Sequence, residues 1–264
     1  MYMIHTCPDR EWYVNRFLVP SLTAHGISKS DIIIYNDENK EGNLKSCINS
    51  FKIIYLEGDG DTWHLQDDVV ISSNFKERIV RFDKYTPDLI MCGMCMNVDE
   101  DKRKPIGIVS PEEMWYSFQC IRIPNKLAGE FVKWMENYAV NNPDYRLWIR
   151  RNKYDDTLFR EFMINEYPEY QCVNIYPNLV DHVDYLLGGS LVNQDFPVER
   201  RAEYFIEQYL VKDLEMNLRP RNITMKLKEQ IERLNNGNKR DNNISRFNRH
   251  THRFTAPDNY NGAE

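Results

Sequence analysis

The sequence lacks several features that mark whole classes of protein. No apolar run approaches the length of a membrane span, and the opening residues, MYMIHTCPDR, show neither the charged nor the apolar region of a signal peptide. Neither GxGxxG nor GxxxxGK[ST] occurs, which argues against a dinucleotide-dependent dehydrogenase and a P-loop enzyme. These absences predict a cytoplasmic protein with no membrane span.

The cysteines do not form a metal-binding pattern. The chain contains six of them, scattered through apolar stretches, which is typical of reduced thiols in a core. Cys92 and Cys95 form one CxxC, but no second pair accompanies it. A structural zinc site needs more ligands, so we do not expect one here.

Charge is distributed unevenly along the chain. The formal net charge is −6, yet the segment from Arg219 to Phe254 contains ten Lys and Arg against three Asp and Glu. An acidic body with a basic C-terminal segment indicates a polyanionic partner such as nucleic acid. The alternative is a solvated helix and tail.

The pattern of apolar residues predicts an α/β fold. Short apolar runs alternate with helical patterns in a β-α-β-α-β order, with strands over 2–6 and 31–35, helices over 11–24 and 44–51, and a third strand before residue 67. This order is typical of a mixed, mostly parallel sheet flanked by helices. Beyond it we predict strands over 88–96, 106–109 and 116–123, and helices over 75–84, 125–138 and 157–165.

We predict one globular domain over residues 1–196, followed by an extension of different character. The extension is helical over residues 197–237, with one helix over 199–216 and a second over 224–234 because Pro220 lies between them. Residues 238–264 are polar and basic, and we predict a disordered tail there.

Two adjacent carboxylates, Asp67 and Asp68, interrupt the apolar stretch WHLQDDVVIS. An ionised carboxylate in a core costs several kcal/mol unless it is paired or binds a metal, so we place the pair where a buried strand surfaces, at its carboxyl end. Open α/β sheets bind their ligands at that edge. Carboxylate oxygens suit Mg²⁺ or Mn²⁺ held jointly with a diphosphate. The alternative is a turn-forming Asp-Asp at a strand end.

The stretch QDDV resembles the metal-site strand of glycosyltransferases with the GT-A fold. Their signature is an acid-x-acid motif after a hydrophobic strand, and here Gln66 replaces the first acid. The resemblance implies that Asp68 binds the metal, that Gln66 and Asp67 lie in the donor site, and that Mn²⁺ or Mg²⁺ is the cofactor. It implies transfer of a sugar from a nucleotide-sugar, most simply a UDP-sugar.

Two later segments follow in the order that this resemblance requires. Asp155 and Asp156 precede a helical pattern, where an acid is an N-cap by default. In inverting GT-A enzymes an acid at this point is the general base, and both residues fit that role. The segment PNLVDHVD resembles the element that ends the GT-A core, so His182 is implied as the last metal ligand, with Asp181 and Asp184 beside it.

The resemblance also implies contacts to the two substrates. The turn after the first strand, with Thr6 and Arg10, and the acid after the second strand, Asp37, would touch the donor nucleotide. Gly188 and Gly189 match a small-residue loop near the donor phosphates. Aromatic and basic side chains around the later strand and helix are candidates for the acceptor: Trp115, Tyr116, Arg150 and Arg151.

The acceptor stays open at this stage. The compact, Asn-rich chain is similar in style to bacteriophage glycosyltransferases, some of which modify hydroxymethylated bases in phage DNA; such an enzyme would work in the host cytoplasm. A saccharide or lipid-linked acceptor is the alternative. More distant alternatives are a metal-dependent nucleotidyltransferase or nuclease, built on both Asp pairs, and an inactive nucleic-acid-binding module.

Overall fold

A computed structural model of the chain describes residues 1–85, 88–95, 106–114, 116–141, 155–189, 191, 201–202 and 204–250. The described strands are β1 (Tyr2–Thr6), β2 (Ile32–Asn36), β3 (Asp61–Gln66), β4 (Val69–Ile71), β5 (Ile90–Cys92), β6 (Ile106–Val109), β7 (Cys120–Pro124), β8 (Cys172–Ile175) and β9 (Val180–His182). The described α-helices are α1 (Glu11–Tyr13), α2 (Val19–Ala24), α3 (Asn43–Leu56), α4 (Phe75–Tyr85), α5 (Asn125–Asn141), α6 (Asp155–Glu166) and α7 (Gln208–His250).

Seven strands form one mixed sheet in the order β2-β1-β3-β7-β5-β8-β6. Strand β1 pairs in parallel with β2 and β3, and β5 pairs in parallel with β8. Strand β7 is antiparallel to both β3 and β5, and β6 is antiparallel to β8. Five strands therefore share one direction and end at the same edge of the sheet. The predicted α/β class, with a mostly parallel, Rossmann-like sheet and helices, is confirmed.

A second, two-stranded sheet forms just beyond that edge. Strands β4 and β9 pair antiparallel, with Val69 opposite His182 and Ile71 opposite Val180. The chain therefore leaves the main sheet at Gln66, passes through Asp67 and Asp68, and enters the small sheet at once. The two acids lie at the junction of the two sheets, which places them where a buried strand surfaces.

An aromatic core lies between the main sheet and helices α3, α5 and α6. Phe51, Phe118, Phe131 and Phe159 are each almost fully buried, and Phe131 and Phe159 meet edge to face with ring centroids 5.0 Å apart. Such contacts add about 0.5–1.5 kcal/mol per pair beyond the burial of apolar area. Tyr116, predicted to contact the acceptor, belongs to this core: it is 5% exposed and its ring packs on Phe159.

The predicted strands differ from the observed ones mainly around the second half of the sheet. The sequence pattern does not predict strand β8, because Asn174 interrupts the short apolar run CVNI. The predicted strands over 88–96 and 116–123 are shorter in the structure, where they span 90–92 and 120–124.

The prediction of two helices separated by Pro220 is wrong. Residues 201–207 are not helical where described, and a single helix, α7, runs through Pro220 to His250. A proline removes only its own N–H donor and strains one turn, at a cost of about 3 kcal/mol, so a long helix can continue past it. The Thr224 hydroxyl donates a hydrogen bond to the Pro220 carbonyl at 2.9 Å, within this part of the helix.

The chain divides into two compact units, Met1–Glu215 and Met216–Glu264. The first contains both sheets and every candidate site residue. The second consists of the rest of α7 and the residues after it, of which 251–264 lie outside the described residues. Among the described residues, no helix combines the length and the apolar character needed to cross a bilayer.

The cysteine prediction is confirmed: all six cysteines are free and all but Cys7 are buried. One of them, Cys120, packs against Gly93, where the backbone N–H donates to the Cys120 carbonyl at 2.8 Å. A Cβ atom at position 93 would lie 2.6 Å from the Cys120 sulfur, a distance at which one of the two groups must move.

We expect Gly93→Ala to lower the free energy of unfolding by about 1–3 kcal/mol, because it overpacks this contact. The cost should shrink in a Cys120→Ala background, where the sulfur is gone, and chemical denaturation of the four-member mutant cycle measures that coupling. Equal costs in the two backgrounds would contradict the proposed contact.

Candidate metal and donor site

Asp68 and His182 come together although 114 positions separate them in the chain. A carboxylate oxygen of Asp68 lies 3.1 Å from Nε2 of His182, and the His182 side chain is fully buried. The pairing of β4 with β9 produces this contact, since it sets Val69 opposite His182. A hydrogen bond from the Val183 N–H to the Asp68 carbonyl, at 2.8 Å, extends the pairing to Asp68 itself.

Asp184 completes the cluster from the other side of the imidazole. Its Oδ1 lies 3.5 Å from His182 Nδ1, and one ligand atom from each of the three residues falls within 4.8 Å of the others. An imidazole held through Nδ1 by a carboxylate presents Nε2 to a cation, which is the usual arrangement around a metal-binding histidine. Carboxylate oxygen and imidazole nitrogen suit Mn²⁺ and also Mg²⁺ with substrate phosphates.

Asp67 points to a different partner from Asp68, as expected for successive residues of an extended segment. Its carboxylate accepts a hydrogen bond from the Thr6 hydroxyl at 2.8 Å. Burial, and next the charge of Asp68, raise the pKa of Asp67 to about 7, while Arg10 and Thr6 act in the opposite direction. The turn after β1 and the acids after β3 are thus in direct contact.

Arg10 is a buried cation beside these acids. Its side chain is 2% exposed, and Nη2 donates a hydrogen bond of 2.5 Å to the Gly189 carbonyl. Its Nη1 has no hydrogen-bond partner among the described residues. A buried guanidinium with a spare donor beside a carboxylate pair is suited to binding a phosphate oxygen.

The loop that accepts from Arg10 has an unusual backbone. Gly188 and Gly189 have φ values of 104° and 91°, in the left-handed region that side chains other than glycine rarely adopt. The Gly189 N–H donates to the Asp184 carbonyl at 2.9 Å, so the loop turns back onto the cluster of Asp68, His182 and Asp184. The two glycines therefore lie close to Arg10 and Asp184, while their predicted role beside the donor phosphates stays a prediction.

Asp155 lies at the same edge of the sheet. Its Oδ1 accepts a hydrogen bond of 2.7 Å from Asn43, the first residue of α3, which follows the carboxyl end of β2. Burial, and next the charge of Asp156, raise the pKa of Asp155 to about 8. Asp156 is more exposed and accepts from the Thr157 N–H at 2.8 Å. The buried acid and the partly exposed one therefore differ in surroundings, which the sequence alone could not resolve.

Other predicted donor residues lie at this edge with structural partners. Asp37 follows β2, is 6% exposed, and its carboxylate accepts from the Glu41 N–H at 3.0 Å, so it caps the turn that leads to α3. Gln66 ends β3 next to the acids, and its N–H donates to the Gln119 carbonyl at 3.3 Å. Trp115, Arg150 and Arg151, predicted to contact the acceptor, lie outside the described residues.

Sequence reasoning missed His5, whose ring lies in the same region. The imidazole is buried, contacts the Ser46 hydroxyl through Nε2 at 2.5 Å, and packs against Tyr35 with ring centroids 5.7 Å apart. Burial lowers its pKa to about 4, although the charges of Asp37 and Asp68 act in the opposite direction. A single histidine inside the apolar strand YMIHT carries no signal in the sequence that distinguishes it from a core residue.

Comparison with known proteins supplies no family for this chain. No protein-family model matches it, and none of the curated proteins matches it. The function has to be inferred from the site.

The buried carboxyl of Asp155 predicts a pH dependence of stability. Its pKa is raised from an ordinary 3.8 to about 8, so its contribution to stability is complete below pH 4 and is lost as pH rises through 8. We therefore expect Asp155→Asn to become more stable relative to the wild type as pH rises, by up to about 1.4 kcal/mol per pH unit.

Chemical denaturation of both proteins between pH 5 and pH 8.5 measures this difference. Asp59→Asn, which changes an exposed carboxylate before β3, is the matched control and should show no such trend. A constant difference between Asp155→Asn and the wild type across that range would show that the carboxyl has an ordinary pKa.

Proposed function

We propose that this protein is a metal-dependent glycosyltransferase that moves a sugar from a nucleotide-sugar, most simply a UDP-sugar, to an acceptor hydroxyl. The observation that carries the proposal is the contact of Asp68 with His182 at the carboxyl edge of a mostly parallel sheet. Ligands of open α/β sheets bind at this edge. The same two residues are those that the resemblance to GT-A enzymes implies as metal ligands.

The protein atoms available to bind a cation, carboxylate oxygens and imidazole nitrogens, fit Mn²⁺ or Mg²⁺. No thiolate is among them. We assign Asp68 and His182 Nε2 as the protein ligands and Asp184 as the group that holds the imidazole through Nδ1. Two protein ligands leave room for phosphate oxygens, which is how such cations are commonly held in phosphate-handling sites. A bound cation would neutralise charge on the departing diphosphate, as a Lewis acid.

The neighbouring residues fit the same reaction. Arg10 offers a spare guanidinium donor to a phosphate oxygen, and Gly188 and Gly189 permit close approach of backbone to the diphosphate. Asp67, held by Thr6, is near enough to both Asp68 and Arg10 for their charges to act on its carboxyl. The GT-A form of the fold is part of the proposal, and the mixed sheet with a metal cluster at its carboxyl edge is compatible with it.

Proton removal from the acceptor falls to the Asp155–Asp156 pair if the enzyme inverts configuration. A general base works best when its pKa lies near the working pH, and the raised pKa of Asp155 meets that condition. Because the two carboxyls interact, they titrate as a pair, with Asn43 holding one oxygen of Asp155 in place.

The geometry weighs against a two-metal nuclease or nucleotidyltransferase. Such sites gather several acids around two cations that lie about 3.5–4 Å apart. In the described part of the chain, the cluster within 4.8 Å consists of Asp68, His182 and Asp184, and Asp155 instead binds Asn43.

We favour a hydroxymethylated base in DNA as the acceptor, because the segment from Arg219 to Phe254 is strongly basic. A saccharide or lipid-linked acceptor is the second choice.

Thermal unfolding with Mn²⁺ and UDP, GDP, CMP or dTDP tests the donor site. A ligand that binds only the native state stabilises it by about 2.7 kcal/mol at a hundredfold excess over Kd. We expect one nucleotide, UDP first, to raise the melting temperature of the wild type only when Mn²⁺ is present. Asp68→Ala and His182→Ala should remove that increase.

Asp83→Asn, which changes a carboxylate paired with Arg122 away from this cluster, serves as the control and should keep the nucleotide response. If no nucleotide raises the melting temperature in the presence of Mn²⁺, the proposed donor site is wrong.

Transfer of a radiolabelled sugar to a panel of acceptors tests the reaction itself. We expect incorporation into hydroxymethylated DNA and not into unmodified DNA, with simple saccharides as the comparison. If the enzyme inverts, Asp155→Asn or Asp156→Asn should lower kcat by about 10²–10⁴-fold, the usual range for a general base, without changing the nucleotide response in thermal unfolding. Transfer to saccharides alone would assign the second class of acceptor.

A further inference from the structure

A segment that follows β9 in the chain contacts the proposed metal cluster through Asp181, the residue before His182. Beyond the undescribed residues 192–200, the chain returns to the small sheet. In this returning segment (residues 201–202 and 204–207), the Tyr204 N–H donates to Asn178 Oδ1 at 3.0 Å, just before β9. Glu207 accepts from the Ser73 N–H at 2.8 Å, just after β4. The segment is therefore fixed to both strands of the small sheet.

Asp181 is the point at which this segment meets the cluster. It precedes His182 in β9, and successive side chains of a strand point to opposite faces. His182 therefore faces Asp68, while the carboxylate of Asp181, which is fully buried, faces the returning segment. Its Oδ1 accepts from the Ala202 N–H at 2.7 Å and from the His182 N–H at 2.9 Å.

Arg201 supplies the charge that balances this buried carboxylate. Its Nε donates to Asp181 Oδ2 at 2.8 Å, and its Nη2 contacts the same oxygen. Its Nη1 donates to the Tyr185 hydroxyl at 3.1 Å, and the guanidinium lies 5.4 Å from the centre of that ring. Arg201 thus contacts the residue before His182 and the residue after Asp184. Its two contacts lie on either side of these two cluster residues in the chain.

We propose that Arg201 is a positioning residue for the metal site, acting through Asp181 and Tyr185 on His182 and Asp184. The inference rests on the proposed metal site and deepens it. Removal of the guanidinium leaves a buried carboxylate without its cation, next to the backbone N–H of His182. That carboxylate must then move or attract water, and either change alters the placement of the imidazole. Partners of metal ligands typically contribute 10–100-fold to metal affinity.

A titration with Mn²⁺ alone tests this role without nucleotide or turnover. The electron paramagnetic resonance signal of the unbound ion measures how much Mn²⁺ each protein binds. We expect Arg201→Ala to weaken Mn²⁺ binding by about 10–100-fold, in line with other partners of metal ligands. Arg201→Lys, which keeps the charge but loses the multiple contacts, should fall between Arg201→Ala and the wild type. Asp83→Asn disturbs the Arg122 ion pairs instead and should bind Mn²⁺ like the wild type.

Far-UV circular dichroism and metal-free thermal unfolding show whether each variant is folded, and Arg201→Lys carries the test if Arg201→Ala does not fold. Wild-type affinity in a folded Arg201→Ala or Arg201→Lys, alongside lost binding in Asp68→Ala, would overturn the positioning role and leave the metal site intact. No Mn²⁺ binding by the wild type would overturn the metal site of the proposed function, and this inference with it.

Discussion

The three-residue pairing between β4 and β9 is the constraint on which the candidate site depends. Asp68 and His182 come from distant parts of the chain, and only this pairing sets Val69 opposite His182. The main sheet places Asp68 near this edge, because β3 ends where the parallel strands end. The small sheet then carries one residue of the pair into contact with the other. A site formed in this way exists only when the two strands of the small sheet are paired.

Burial of charge distinguishes this edge from the rest of the core. Isolated ionised groups are expensive in a protein interior, yet at this edge Arg10 and Asp155 are buried and Asp67 is half-buried. Partners reduce the cost only in part, because the pKa values of Asp67 and Asp155 remain well above those of ordinary carboxyls. A ligand that brings positive charge or hydrogen-bond donors to this edge would relieve the remaining cost. Perturbed groups of this kind are commoner at functional sites than elsewhere.

Local pattern was enough to predict much of the fold and some of the site. Period-two and helical patterns predict β1, β2 and α5 closely and the start of α3, which continues to Leu56, because apolar residues mark these elements in the sequence. Asp68 and His182 stood out as polar residues beside short apolar runs. The partners Asp181–Arg201 and Thr6–Asp67 did not, since pairing across 20 or 61 positions leaves no local signal. Continuation of α7 past Pro220 was also missed. Whether a helix continues past a proline depends on the free-energy cost of that residue relative to the stability of the whole helix, and the local pattern shows only the proline.

A π-helix between α1 and α2 follows Tyr13, which contacts the strand next to Asp68. Residues Val14–Leu18 form a π-helix, which holds one residue more per turn than an α-helix. On one side of it, the Tyr13 hydroxyl donates to the Val69 carbonyl at 2.8 Å; on the other, Leu18 and Leu22 fill the core. A π-helical turn corresponds to one extra residue in an α-helix, so deletion of one residue within it would restore α-helical geometry and leave Tyr13 and Leu22 on nearly the same faces as now. The π-helix therefore takes up one residue of chain length while Tyr13 still anchors the strand beside Asp68 and Leu22 stays buried.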